Sequence, residues 1–163
     1  MTHLILFRHG IAVPSGTPDV EESQRPLTKK GEKRTREIAR GLKPFLKKID
    51  RIVSSPLPRA LRTAEIVAEM LGLSEVVETS EALLPQAQPV DIQSWLKSRD
   101  ESRLMIVGHN PNLSDLLNLL VSGHVEPRSI ELRKAGAACL RQTPDDHYRI
   151  DWFIRPRIAR KMR

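Results

Sequence analysis

Short apolar runs alternate along this chain with longer segments whose apolar residues recur at helical spacing. The apolar runs cover residues 4–7, 52–54 and 104–107, and each has the length of a buried strand. A helical pattern follows each of them. Strands that alternate with helices are typical of a parallel sheet covered by helices on both faces. The sequence therefore predicts an α/β three-layer sandwich, and a chain of 163 residues has the length of one domain.

Three residues predict where the first two helices begin and end. Thr28 is a candidate N-cap for the first helix, and Pro44 should kink or end this helix just before it. Gly72 follows the second helix and is a candidate C-terminal stop. A third unit combines a short strand at residues 76–77 with a short helix over residues 92–96. The first part of the chain is thus predicted to repeat one order of strand and helix.

The last third of the chain has a different pattern, which predicts antiparallel strands near residues 129–132, 136–141 and 148–154. Apolar and polar residues alternate in the last of these, and a turn at residues 144–146 precedes it. We expect these strands to extend the mainly parallel sheet. The domain is predicted to span residues 1–154, followed by a basic C-terminal tail at 155–163.

The formal net charge of +7 comes from 27 basic and 20 acidic residues and is concentrated in two places. Residues 29–51 hold ten Lys and Arg against three acids, and residues 155–163 hold five with no acid. A basic helix face is commonly only solvated surface, but it also fits an acidic or phosphorylated partner. Nucleic acid is the weaker alternative, because aromatic residues make up 4% of the chain and provide no stacking platform.

Composition also excludes several classes of protein. Cys139 is the single cysteine, which excludes an internal disulfide and a thiolate metal cluster. The usual metal-ligand spacings are absent, and we expect neither a metal nor another cofactor. No apolar run approaches the roughly 20 residues of a membrane span, and the first residues lack the basic segment of a signal peptide. We expect a cytoplasmic protein that acts away from the membrane, and we expect it to be a monomer.

Four residues with side chains suited to binding or attacking an anion fall at the ends of strands or helices. Arg8 and His9 follow the first strand, Arg59 falls in the first turn of the second helix, and His109 follows the strand at 104–107. Parallel sheets bind ligands at the carboxyl ends of their strands, where helix N-termini present free N–H groups. Guanidinium groups bind phosphate oxygens in pairs and stay charged at any working pH. These positions favour a phosphate pocket, and the alternative is that both histidines are hydrogen-bonded core residues.

Four segments, in this order, resemble the histidine phosphatase superfamily. They are Arg8-His9-Gly10, Arg25-Pro-Leu-Thr, Ser54-Ser-Pro-Leu-Pro-Arg59 and Gly108-His109-Asn-Pro. The resemblance covers roughly residues 3–122. Within the superfamily, the short chain and the second and fourth segments are most similar to the small bacterial phosphohistidine phosphatases of the SixA type. The resemblance implies a phosphoglycerate-mutase-like fold.

The resemblance also implies roles for particular residues. His9 would attack phosphorus and become transiently phosphorylated, after which water releases phosphate. Arg8, Arg59 and His109 would bind the phosphate oxygens. Arg25 either reaches the phosphate or forms a salt bridge that stabilises its loop. Phosphoryl transfer depends on positioning and charge stabilisation, so this chemistry needs no metal. The implied substrate is a phosphohistidine on a protein such as a phosphotransfer domain.

The general acid of the superfamily has no clear match in this chain. Glu81 is the nearest candidate, although a carboxylate at this position is also typical of the surface. An alcohol leaving group needs a proton, whereas imidazole, with a pKa of about 6.5, departs once it is protonated by the medium or by His109. A site without a strong acid therefore favours P–N bonds. The alternatives are a small-molecule phosphomonoesterase of the same superfamily and a phosphate-binding interaction module without turnover.

Overall fold

A six-stranded sheet runs through the middle of the computed structural model, which describes residues 1–125, 129–145 and 147–162. The spatial order of the strands is β3, β2, β4, β1, β5, β6. The first four strands along the chain are parallel, β5 is antiparallel to β1, and β6 is antiparallel to β5. The bounds of the strands are β1 His3–Arg8, β2 Arg51–Ser54, β3 Val77–Thr79, β4 Arg103–Gly108, β5 Ala137–Gln142 and β6 Tyr148–Ile154.

Helices cover both faces of the sheet. Successive residues of β1 face opposite sides, so that Ile5 and Phe7 pack in one core with α1, α2 and α5. Leu4 and Leu6 pack in a second core with α3 and α4. The predicted α/β sandwich with a mainly parallel sheet is therefore confirmed. The bounds of the helices are α1 Lys29–Leu42, α2 Pro58–Leu71, α3 Pro89–Lys97, α4 Asn112–Ser122 and α5 Pro156–Ala159.

The predicted ends of α1 and α2 are confirmed. The Thr28 hydroxyl accepts a hydrogen bond from the Gly31 N–H at 2.9 Å, which satisfies a free donor at the start of α1. This helix ends at Leu42, two residues before Pro44. Gly72 follows α2 with a φ of 74°, a left-handed conformation that glycine adopts without steric cost.

The predicted strand at residues 129–132 is wrong, because the backbone of this segment bonds to side chains instead of to a neighbouring strand. Asn118 of α4 accepts hydrogen bonds from the N–H groups of Ser129 and Ile130 and donates one to the Ile130 carbonyl. The Ser114 hydroxyl accepts from the Leu132 N–H at 3.0 Å. The two predicted strands that do form, β5 and β6, extend the sheet. Asp146 of the predicted turn lies outside the described residues.

The end of the chain returns to the first helix. Ala159 of α5 is fully buried in the core that α1 shares. Its carbonyl oxygen lies so close to Gly41 that a Cβ atom at that position would overlap it. The predicted boundary between a domain at 1–154 and a tail at 155–163 stays a prediction, and Arg163 lies outside the described residues. Among the helices of the described ranges, none has the length and apolar character needed to cross a membrane.

Candidate active site

The fold brings the two histidines together at the carboxyl ends of two adjacent strands. Strands β1 and β4 pair in register, with Arg8 beside Gly108, so His9 and His109 follow neighbouring strands. The His9 N–H donates to the Gly108 carbonyl at 3.0 Å. The centroids of the two imidazole rings are 5.1 Å apart. Arg59 enters the same region from the first turn of α2.

His9 is held with one ring nitrogen directed away from the backbone. Its Nδ1 lies 2.7 Å from the Gly10 carbonyl oxygen, and since a carbonyl only accepts, Nδ1 carries the hydrogen. The Nε2 atom of the neutral ring then keeps its lone pair. Burial is the main cause that lowers the pKa of His9 to about 4. The Gly10 hydrogen bond opposes this shift, and the positive charges of Arg59, Arg8 and Lys134 contribute to it. The ring is therefore an unprotonated base at neutral pH.

His109 is also buried and neutral, at 2% exposure. Burial lowers its pKa to about 3, with smaller contributions from His9 and from Arg59. Its Nε2 is hydrogen-bonded to the Ser55 hydroxyl at 2.9 Å. Its Nδ1 is buried and has no hydrogen-bond partner among the described residues. When the Ser55 hydroxyl donates to Nε2, the hydrogen of the neutral ring resides on Nδ1, which can donate to an incoming oxyanion.

Arg59 is buried beneath the loop that precedes α1, at 3% exposure. Its guanidinium donates to the Glu22 carbonyl at 2.9 Å and lies 3.7 Å from the Glu22 carboxylate. One turn further along α2, the Thr63 hydroxyl donates to the Arg59 carbonyl and accepts from the Gly10 N–H. The Thr63 side chain thus links the first turn of α2 directly to the loop after His9.

Arg8 is positioned by the irregular segment that was predicted to be a strand. Its guanidinium donates to the Leu132 carbonyl at 2.8 Å, and the Glu131 carboxylate lies 3.9 Å away. The Asn110 amide donates to the same Leu132 carbonyl at 3.0 Å. The segment therefore fixes Arg8 relative to the loop that carries His109.

Arg25 forms the loop-stabilising contacts that were one of its two predicted roles. Its guanidinium donates to the Val13 carbonyl at 2.8 Å and bonds to the Glu22 carboxylate. The same Glu22 carboxylate lies 3.7 Å from the Arg59 guanidinium, which places Arg25 close to the site. Its second predicted role, contact with phosphate, stays a prediction.

Several buried N–H donors of this region lack a partner among the described residues. Besides His109 Nδ1, they include the Nε atoms of Arg8, Arg25 and Arg59. The Nε atoms of Arg51 and Arg103, at the opposite ends of their strands, are also buried without a hydrogen-bond partner. An unpartnered arginine Nε is therefore not specific to the site, and His109 Nδ1 is the stronger indication of a bound anion. An unsatisfied buried donor costs about 1–3 kcal/mol, and an oxyanion is the natural acceptor for a group of them.

Glu81, the candidate general acid, lies at the same edge of the sheet. It comes two residues after β3, and the Ser80 N–H donates to the carbonyl of Ser54, at the end of β2. Its side chain is exposed, and no hydrogen bond or ion pair of its carboxylate is found within the described ranges. Its role as an acid stays a prediction.

Two contacts of the site had no reliable signal in the sequence. Glu22 lies in a polar loop, and nothing in its neighbourhood marks it as the carboxylate that meets Arg25 and Arg59. Ser55 precedes a proline, and its hydroxyl accepts a long hydrogen bond from the Leu57 N–H, at 3.4 Å. Its shorter bond, to His109, joins residues 54 positions apart.

The site combines a neutral, buried histidine that has a directed lone pair with neighbouring arginines, and it lies at the carboxyl edge of a mainly parallel sheet. This is the arrangement of an α/β phosphatase that uses histidine. The comparison with protein families agrees, because residues 4–84 match the model of the histidine phosphatase superfamily (branch 1). This chain belongs to that superfamily.

Two curated relatives and two solved structures show how far the similarity extends. An uncharacterised protein of Picosynechococcus sp. (strain ATCC 27264 / PCC 7002 / PR-6) is 34% identical over 141 residues, covering 85% of this chain and 84% of the relative. The phosphohistidine phosphatase SixA of Escherichia coli (strain K12) is 28% identical over 127 residues, covering 76% of this chain and 77% of the relative.

The solved structures share the fold over nearly the whole chain. The protein histidine phosphatase SixA complexed with tungstate has a TM-score of 0.79 at 24% identity, covering 94% of this chain and 97% of the other. A mutant phosphoserine phosphatase from Entamoeba histolytica, in complex with phosphoserine, has a TM-score of 0.75 at 17% identity, covering 99% of both chains. The fold is thus shared by phosphatases with different substrates.

Proposed function

We propose that this phosphatase hydrolyses phosphohistidine on a protein, through a covalent phosphate on His9. The observation that carries the proposal is the hydrogen bond between His9 Nδ1 and the Gly10 carbonyl, which leaves Nε2 as the nucleophile. The lowered pKa of about 4 keeps that nitrogen unprotonated at neutral pH. The 28% identical relative from Escherichia coli, a phosphohistidine phosphatase, supports the same substrate class.

In the first step, His9 Nε2 attacks phosphorus in line with the bond that breaks. A P–N bond to His9 forms while the P–N bond to the substrate imidazole breaks, and the leaving imidazole takes a proton from the medium. His109 is neutral, so its Nδ1–H serves as a hydrogen-bond donor to a phosphoryl oxygen and keeps its hydrogen. The guanidiniums of Arg8 and Arg59 and the His109 ring stabilise the charge on the transferring phosphoryl oxygens. The hydrogen on His9 Nδ1 stays bonded to Gly10 throughout.

In the second step, water attacks the phosphorus of phosphorylated His9. The P–Nε2 bond breaks, inorganic phosphate leaves, and the proton released by water passes to the medium. His9 returns to its neutral form, which its buried surroundings favour. The same charged groups bind the phosphoryl oxygens in both steps, so one pocket serves both.

The carboxylates near the site favour an imidazole leaving group. The Glu22 carboxylate is bonded to Arg25 and to the Ser15 hydroxyl, both of which lower its pKa and keep it deprotonated. The Glu81 side chain is exposed. An imidazole departs without a strong acid, whereas an alkoxide does not, so this site suits P–N bonds better than phosphate esters.

A phosphomonoesterase acting on a small molecule is the second candidate. It is favoured by the position of Glu81, which follows β3 at the same edge of the sheet as the site. If Glu81 supplied a proton to an alkoxide leaving group, Glu81→Gln would lower kcat on a phosphate ester by about 10²-fold or more. Under the proposed function the same variant keeps its kcat on phosphohistidine.

The test is phosphate release from a phosphotransfer domain phosphorylated on histidine, measured for wild type, His9→Ala and His124→Ala. His124 is an exposed histidine outside the site and provides a matched control. We expect rapid release by wild type and by the control, and a loss of about 10³-fold or more in His9→Ala. Rapid quenching of the wild-type reaction should trap phosphate on His9. Release by His9→Ala at the wild-type rate, or an equal kcat/KM on phosphoserine, would contradict the proposal.

A further inference from the structure

The two basic segments of the chain, 29–51 and 155–163, meet in the folded molecule. The contact between α1 and α5 is close, since the carbonyl of Ala159 approaches Gly41. Next to this contact lies a cleft with a volume of about 420 Å³. We call it the basic cleft. Six cationic residues line it, and they are Arg34 of α1, Arg133 and Lys134 before β5, and Arg155, Arg157 and Arg160 at the end of the chain.

Most of the positive charge of the basic cleft is not neutralised locally. Arg160 bonds to the Glu37 carboxylate at 2.7 Å, and Arg133 lies 3.7 Å from Glu131. The four others, which form no ion pair within the described part of the chain, are Arg34, Lys134, Arg155 and Arg157. By contrast, Arg36 of α1 lies outside the cleft and pairs with Glu32 and with Glu69 of α2. The basic cleft therefore brings four cations without an ion pair together in one concave surface.

The floor of the basic cleft is apolar. It is formed by the uncharged lining residues Ile11, Gly31, Ile38, Ala135 and Pro156. Most of the cationic side chains around it are exposed, so the cleft has a hydrated, positive rim and an apolar base. This combination is typical of a surface that binds another protein, in which apolar contacts are surrounded by charged pairs.

The basic cleft adjoins the active site. Ile11 is two residues beyond His9, and the Ala135 N–H donates to the carbonyls of both Arg8 and His9 at 3.0 Å. The charge of Lys134 also contributes to lowering the pKa of His9. A protein seated on this cleft would therefore have part of its surface within reach of the phosphate pocket.

We propose that the basic cleft binds an acidic surface of the phosphorylated protein whose phosphate is transferred to His9. The proposal rests on the proposed function. The exposed rim fits carboxylates spread over a folded surface, and the apolar floor fits the aliphatic side chains between them. Single-stranded nucleic acid fits less well, because the lining contains no aromatic side chain on which a base could stack.

The test compares two charge-reversed variants of the full chain. Arg155→Glu with Arg157→Glu changes the rim, and Lys43→Glu with Lys47→Glu makes the same change in net charge at a distance from it. The substrates are a histidine-phosphorylated phosphotransfer domain and phosphoimidazole. We expect kcat/KM for the protein substrate to fall by about tenfold or more in the rim variant alone, with a shallower dependence on salt. Hydrolysis of phosphoimidazole shows that the rim variant is folded.

A binding measurement separates this inference from the proposed function. Fluorescence anisotropy of a labelled oligoglutamate peptide, and of a labelled oligonucleotide of equal charge, does not require turnover. We expect the peptide to bind wild type and the control variant and not the rim variant. If wild type binds the peptide through the rim but releases no phosphate from phosphohistidine, the proposed function is wrong. The inference that the basic cleft binds an acidic ligand is then still supported. Equal behaviour of the two variants, or binding of the oligonucleotide in place of the peptide, would overturn the inference.

Discussion

The imidazoles of His9 and His109 stay uncharged in the folded protein because burial lowers their pKa to about 4 and about 3. In the unfolded chain both titrate near 6.5. The unfolded state therefore takes up protons first as the pH falls, and it is stabilised relative to the folded state. We expect the free energy of unfolding to be highest above about pH 6.5, where both histidines are neutral in the folded and the unfolded state. It should decrease as the pH falls from there to about pH 3. The loss should be on the order of 3 kcal/mol for each histidine.

Urea unfolding between pH 7 and pH 3.5 measures this effect. The variant His109→Asn removes one of the two titrating groups, so its free energy of unfolding should decrease less steeply with falling pH. For each protein, the free energy of unfolding at lower pH is compared with the value of the same protein at pH 7. Parallel curves for the variant and wild type would show that His109 is not a titrating group with a lowered pKa.

Ser55 determines which hydrogen His109 presents, because its hydroxyl bonds to Nε2 at 2.9 Å. Removing that hydroxyl in Ser55→Ala should lower kcat by about tenfold with little change in KM, since the ring loses its fixed orientation. Ser55→Thr keeps the hydroxyl and should retain most of the activity. Ser54→Ala is the control, since its buried hydroxyl donates to a carbonyl and not to the site. An equal loss in both alanine variants would mean that Ser55 acts only through folding.

At the scale of single elements, the segment 129–132 shows how an irregular stretch is stabilised. Asn118 satisfies three backbone groups of Ser129 and Ile130, which pair with no strand of the described ranges. Asn118→Leu should destabilise the protein by about 3 kcal/mol, because three partly buried backbone groups lose their hydrogen bonds. The release of the segment should also displace Leu132, whose carbonyl orients Arg8, and raise KM.

Thermal unfolding and steady-state kinetics together measure both effects of Asn118→Leu. Ser122→Ala, one turn further along α4, is the matched control. It removes a hydroxyl that bonds to the carbonyls of Asn118 and His124 and accepts from the His124 N–H. A destabilised variant with an unchanged KM would contradict the second effect. It would show that the segment stabilises the protein but does not position Arg8.

The same segment shows where sequence reasoning ends. The apolar residues Ile130 and Leu132 give it the alternation of a strand, but the hydrogen bonds that hold it come from α4 side chains that no pattern places there. Helix ends were predictable because Thr28 and Gly72 act on their own neighbours in the chain. The edge at which Arg8, Arg59 and both histidines lie was predictable because parallel strands share it. The Glu22 and Ser55 contacts were not, since each depends on how a loop folds back.

At the scale of the whole molecule, the contact between α1 and α5 connects the core to the basic cleft. Gly41 is required there, because a Cβ atom would overlap the Ala159 carbonyl. Gly41→Ala should push α5 away and remove Ala159 from the core, at a cost of about 1–3 kcal/mol. Arg155 and Arg157 would move with the helix, so kcat/KM for an acidic protein substrate should fall while that for phosphoimidazole stays unchanged.

Arg40→Ala is the control for Gly41→Ala, since it alters an exposed neighbour on α1 and leaves the close approach intact. Limited proteolysis after Ile158 or Lys161 would report the release of α5 directly. A Gly41→Ala protein that is destabilised and yet keeps its activity on the protein substrate would mean that the core contact and the basic cleft are independent. A parallel loss of both would show that one packing contact sets the stability of the fold and the position of the charges that select its substrate.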